Sequence, residues 1–173
     1  MSSPPSLSRD TERFTDWFRE HGRAVRGYLL GMVRRPDLAD DLTQEVFSRA
    51  WAARVRYREW GCARAYLLKI ADRLLCDHGR QTSGETTLGE GAWHRCEPAS
   101  SGGDPAQETA GREIAAELFR ALEQLTPAQR RVLLLRYYGQ MSFSEIAKMT
   151  AVPLNTVLSH CRRGLEALRK RLT

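Results

Sequence analysis

The 173-residue chain has no run of about 18 apolar residues, so nothing in it is expected to insert in a membrane. Its first eight residues are polar and rich in proline and serine. They lack the apolar stretch of a signal peptide, so the protein is expected to stay in the reducing cytoplasm. The four cysteines, Cys62, Cys76, Cys96 and Cys161, contain no Cys-x-x-Cys pair, so neither a disulfide framework nor a structural zinc site is expected. His94 and Cys96 flank Arg95, but two ligands do not close a metal site. Strand-like alternation and internal repeats are absent. So are a glycine-rich nucleotide loop and any nucleophile–base arrangement, which argues against an enzyme and against a cofactor.

What the chain does carry is unevenly distributed charge. The formal net charge is +6, which permits an anionic partner without naming one. Residues 130–173 hold nine basic against two acidic side chains, the basic footprint expected of a DNA reader. Residues 81–109 are the opposite, with one basic against five acidic.

The basic segment also has the most specific local pattern. Residues 142–149 predict a short helix, and Ser142 with Glu145 has capping-box spacing. Thr150, Ala151 and Val152 form a break, and Pro153 is placed at the first position of a second helix, where its missing N–H costs nothing. Two helices joined by so short a turn describe a helix-turn-helix, whose second helix enters the DNA major groove. Leu154, Val157, Cys161, Leu165, Leu168 and Leu172 recur at spacings of three and four, which predicts one buried stripe. Asn155, Ser159, Arg162 and Arg163, with Thr156 beside them, lie on the other side. They either read base edges and phosphates or form the solvated face of an ordinary core helix.

In the N-terminal part, Phe14, Trp17, Phe18, His21, Val25, Tyr28, Leu29 and Met32 keep helical spacing and predict a core stripe. The helix is expected to bend or break near Gly22. Arg34 and Arg35 end it, and Pro36 and Asp37 open a second helix. Leu38, Leu42, Val46 and Ala50 form its apolar line. Asp37, Asp41, Gln44 and Ser48 lie opposite, with Asp40 and Glu45 adjacent. This acidic stripe is either solvated or docks a basic helix of a partner through charged hydrogen bonds. Residues 54–64 alternate arginines with aromatics. Tyr57 and Trp60 either stack on bases, with Arg56 and Arg64 following phosphates, or fold back onto the core. A third helix turns Leu67, Ile70, Ala71, Leu74 and Leu75 inward and leaves Arg64, Lys69, Arg73 and Arg80 for an outer surface.

Periodicity stops after Arg80 in a stretch of Gly, Ser, Thr, Pro and acidic residues, which reads as a flexible linker. It resumes with Ile114, Leu118, Leu122 and Leu125. Thr126 then Pro127 reads as an N-cap and helix start, and Val132, Leu133 and Leu135 continue inward to Gly139. The expected architecture is all-α. A helical domain at 8–80 and a four-helix domain at 107–173 that ends in the helix-turn-helix are joined by the linker at 81–106.

Two stretches together resemble the bacterial RNA polymerase sigma factors of the sigma-70 family, the small extracytoplasmic-function type best of all in length. Asp41-Leu42-Thr43-Gln44-Glu45-Val46-Phe47, followed by Trp51, resembles the family's core-binding segment. Leu125-Thr126-Pro127 with Arg130 or Arg131, then Ser142-Phe143-Ser144-Glu145-Ile146-Ala147 and Pro153-Leu154-Asn155-Thr156-Val157, resembles its second conserved domain. The matches stand in the family's order and cover roughly 150 residues, a spacing that makes the pair far more specific than either motif alone.

The resemblance implies a non-catalytic subunit that directs core RNA polymerase to promoter DNA. Asp41, Gln44 and Glu45 would meet the polymerase clamp helices. The 56–64 loop, with Lys69, Arg73 and Arg80, would hold and open the −10 element. Asn155, Thr156, Ser159, Arg162 and Arg163 would read the −35 element, and the acidic linker would thread the polymerase's RNA channel. An anti-sigma factor is a further partner common in the family. The chain departs from the family's usual pattern at Tyr66, Asp72, Arg73, Asn155, Leu158 and His160, which leaves base reading on the last helix mainly to Ser159, Arg162 and Arg163. The competing reading is a regulator that uses the same helix-turn-helix without polymerase. The acidic stripe discriminates, because such a regulator has no need of it.

Overall fold

The computed structural model describes residues 5–54, 62–83 and 117–172, and every regular element among them is helical. The N-terminal half consists of α1 (Pro5–Val33), α2 (Pro36–Ala52) and α3 (Ala63–Ser83). Helix α3 runs past Arg80 to Ser83, slightly beyond the expected start of the linker. The rest of that stretch, with Ile114, lies outside the described residues. The C-terminal half consists of α4, described over residues 117–123, then α5 (Pro127–Tyr137), α6 (Phe143–Thr150) and α7 (Leu154–Leu172).

Helix α1 is continuous through Gly22 and Gly27 over 29 residues, with no break at Gly22. Its later glycines serve close approach instead. A Cβ on Gly27 would lie 2.2 Å from Cε1 of Tyr138, and one on Gly31 would lie 2.7 Å from Cδ1 of Leu134. Helix α5 therefore rests directly on the backbone of α1. The helix stops where the sequence places its end. Arg34 turns left-handed at φ 57°, Arg35 is extended, and Pro36 opens α2.

Val25, Tyr28, Leu29, Met32 and Val33 of α1 meet Leu42, Val46, Phe47 and Ala50 of α2 and Leu67, Leu68, Ala71, Leu74 and Leu75 of α3. Phe14 packs edge-on against Phe47 and Trp51, with ring centroids 6.1 Å and 5.1 Å apart. The aromatic stripe of α1 is thus largely core, although Phe18 stays more than half exposed beside Phe47.

Capping fixes the C-terminal half. Thr126 and Gln129 cap α5 reciprocally, and Ser142 and Glu145 do the same for α6. The Ser142 hydroxyl and amide both donate to the Glu145 carboxylate at 2.7 Å and hold its pKa below the ordinary carboxylate range. Ala151 closes α6 in the left-handed region at φ 55°, ψ 32°. Pro153 stands one residue ahead of α7 rather than inside it. Its carbonyl accepts from the amides of Thr156 and Val157.

The buried line of α7 differs from the expected one. Val157, Cys161 and Gly164 are buried, whereas Leu154, Leu158 and Leu165 are 42%, 40% and 41% exposed. Helix α5 causes the rotation. A Cβ on Gly164 would meet Cδ1 of Leu133 at 2.9 Å, so the closest packing runs through the glycine and turns the neighbouring leucines outward. Leu118 of α4 is likewise 40% exposed rather than core.

Candidate nucleic-acid and polymerase interface

The helix-turn-helix presents one polar face. Asn155, Thr156, Arg162 and Arg163 are exposed on α7, and Ser159 is half-buried between them. At 100° per residue, Asn155, Ser159 and Arg162 share a line along the helix, and Thr156 and Arg163 form the next. Arg163 also borders a shallow depression with Glu166, Ala167, Lys170 and Arg171. Donors and acceptors on the first line suit base edges. Arg163 on the second line, beside Thr156, suits a base edge or a phosphate.

The acidic stripe of α2 is exposed, and most of its charge is already neutralised. Asp40 accepts from Arg26 Nε at 2.5 Å, Asp37 accepts from Arg35 at 2.7 Å, and Glu45 accepts from Arg49 Nε at 2.7 Å. Asp41 and Gln44 are exposed and have no side-chain partner among the described residues. They can accept an incoming donor with no internal bond to break.

The expected −10 residues separate. Lys69 and Arg73 are exposed on the outer side of α3. Arg80 belongs to the same helix, and Arg56, Tyr57 and Trp60 lie outside the described residues. Arg64 does not join that outer surface. It is half-buried, and its guanidinium donates to the Gln140 side chain at 2.5 Å, in the turn after α5. The helical repeat is the reason, because Arg64, Leu68 and Asp72 are four residues apart and share the side of α3 that faces the C-terminal half.

On that side lies a cluster that the sequence did not single out as a site. Asp72 is buried. Tyr28 donates its hydroxyl to Asp72 Oδ1 at 2.7 Å, Arg131 Nε donates to the same oxygen at 2.7 Å, and Arg131 Nη2 donates to Oδ2. Burial, and next the carboxylate beside it, push the Tyr28 phenol well above its ordinary range. Burial opposes the Arg131 charge, but the hydrogen bonds and charge of Asp72 outweigh it and hold the guanidinium above its ordinary range. Only two weak signals existed in the sequence: Asp72 as a departure from the family pattern and a basic pair at Arg130 and Arg131.

No described helix is long and apolar enough to cross a membrane, and no group of three potential metal ligands occurs among the described residues.

Comparison with known proteins accounts for both halves. Residues 17–85 match the family model for sigma-70 region 2, and residues 115–168 match the one for sigma-70, region 4. The ECF RNA polymerase sigma factor SigC of Mycobacterium tuberculosis is 35% identical over 130 residues, covering 75% of this chain and 68% of that protein. SigK of Mycolicibacterium vanbaalenii, another ECF RNA polymerase sigma factor, is 29% identical over 168 residues, covering 94% of this chain and 83% of that one. Among solved structures, the sigma factor RpoE in complex with the anti-sigma factor NepR from Bartonella quintana has the same fold. Its TM-score is 0.69 at 20% identity, over 93% of this chain and 97% of that one. The chain therefore belongs to the extracytoplasmic-function RNA polymerase sigma factors of the sigma-70 family, whose members are not enzymes but direct RNA polymerase to promoters.

Proposed function

We propose that this factor grips polymerase through the acidic face of α2 and grips promoter DNA at two separated points. Asp41, Gln44 and Glu45 receive basic side chains of core polymerase. Lys69 and Arg73 on the outer side of α3, with Arg56, Tyr57, Trp60, Arg64 and Arg80, hold and help to open the −10 element. Asn155, Thr156, Ser159, Arg162 and Arg163 read the −35 element as duplex. The observation that supports this most is the exposure of Asp41 and Gln44 without partners, on a stripe whose other acids are mostly paired. A DNA-binding regulator that works without polymerase would gain nothing from it.

The factor acts in the cytoplasm, where its polymerase is. An anti-sigma factor is a further partner in this reading, as NepR is for RpoE. Pull-down of core polymerase tests the docking face. Asp41→Ala/Gln44→Ala/Glu45→Ala should lower capture by about tenfold or more, from loss of several charge-assisted hydrogen bonds. Undiminished capture would remove the assignment.

A further inference from the structure

Leu158 is an apolar side chain set in a polar face. It is 40% exposed, three residues after Asn155 and four before Arg162. Residues at those spacings are neighbours on a helix surface, so Leu158 fills the gap between the two polar side chains. Packing explains why it faces outward. Val157 and Cys161 are buried, and Leu133 closes on α7 at Gly164. The interior therefore takes the Val157 side of the helix, and Leu158 stands a step of about 100° away from it.

The second helix of a helix-turn-helix meets base edges through its N-terminal residues. Leu158 is the fifth residue of α7, within that stretch. Base edges in the major groove offer donors and acceptors with one apolar exception, the C5-methyl group of thymine. A leucine has no donor or acceptor to give, so it gains nothing from guanine, adenine or cytosine. Against a thymine methyl it buries apolar surface on both partners.

We propose, on the reading above that α7 faces the −35 duplex, that Leu158 reads the methyl group of one thymine and so sets one base of that element. Asn155 and Arg162 on either side suit adenine and guanine edges and keep water from the apolar contact. The thymine is chosen by its methyl and not by its carbonyl, so uracil is refused at the same place although it pairs identically. Leu154 and Leu165 are also exposed and lie on nearly the same line of the helix, an arrangement that suits a protein groove as well. The DNA reading is favoured because Leu158, alone of the three, stands between two base-reading candidates.

Replacing thymine by deoxyuridine deletes only the methyl group and gives the test. Holoenzyme assembled from the full chain and core polymerase first selects duplexes from a pool randomised across the −35 element. Competition binding is then measured on a selected duplex with each thymine in turn replaced by deoxyuridine. At one thymine the wild type should lose about fourfold, the factor for burying one methyl-sized apolar group. Leu158→Ala should bind the two duplexes alike at that position. Leu158→Met, which keeps an apolar contact, should retain the difference, and so should Arg162→Ala. The ratio is internal to each protein, so a variant with a weaker hold on DNA still reports it. A ratio of one at every thymine in the wild type would overturn the proposal, and so would a fourfold ratio that survives in Leu158→Ala. Weaker binding of Leu158→Ala with the ratio intact would place the leucine against protein instead. A selected pool with no preference across the −35 element would overturn the duplex reading of α7 and this proposal together. A clear preference without a methyl effect would overturn this proposal alone.

Discussion

Arg130 and Arg131 are neighbours on one helix and belong to different parts of the molecule. Arg130 turns into the C-terminal half. Its Nε donates to the Leu122 carbonyl at 2.8 Å, and Nη2 donates to the carbonyls of Leu125 at 3.2 Å and Glu123 at 3.3 Å. It thereby satisfies the carbonyls left over at the end of α4. Burial, and next the charge of Arg34, lower its pKa, and no carboxylate pairs with it at hydrogen-bond range among the described residues. Arg131, a step of 100° further round, leaves its own half and pairs with Asp72. One arginine holds a domain together and the other holds two domains to each other. Within the C-terminal half the guanidinium meets neutral carbonyls, and between the halves it meets a buried carboxylate.

The largest expected effect breaks the first member of this comparison. Arg130→Ala removes the guanidinium bonds to three carbonyls, of which Leu122 keeps the Leu125 amide, each lost bond to a charged donor being worth about 1.5–3 kcal/mol before relaxation. The C-terminal half should lose about 3 kcal/mol in urea unfolding, with promoter binding lost alongside. A change below about 0.5 kcal/mol would show that water replaces the guanidinium there.

The second member should respond less. In an inseparable core, removing Arg131 would leave a lone buried carboxylate and cost about 3–5 kcal/mol. If the junction opens, Asp72 is rehydrated and Arg131→Met should lower the unfolding free energy by only about 1 kcal/mol. A loss in the larger range would make the junction a true interior.

The smallest effect is a pH dependence. The Tyr28 pKa is raised in the folded state, so its contribution is complete below the unfolded value of about 10 and is lost as pH rises through the folded value. Stability measured between pH 9 and 11 should fall, and Tyr28→Phe should flatten that slope. An equal slope in both proteins would assign it to other groups.

Local chemistry made much of the fold legible. Ser142 with Glu145 and Thr126 with Gln129 mark helix starts through capping, and Pro36 marks one through its fixed φ, because these signals need only residues a few positions apart. The Asp41 and Gln44 face and the polar face of α7 were readable for the same reason, as faces of helices already placed. What escaped depended on a neighbour far away in sequence. Leu154 and Leu165 look like core until α5 is known to cross at Gly164. Gly27 looks like a helix breaker until Tyr138 lies over it. Asp72 and Arg131, 59 residues apart, carry no local sign of each other, and Arg64 looked like an outer-surface residue until its tie to Gln140 was seen.

Run-off transcription with core polymerase on fragmented genomic DNA tests the central claim most directly. The account predicts discrete transcripts that appear only with this protein and disappear with Asp41→Ala/Gln44→Ala/Glu45→Ala and with Arg162→Ala/Arg163→Ala. The same transcripts from core polymerase alone, or undiminished transcripts from both variants, would contradict it.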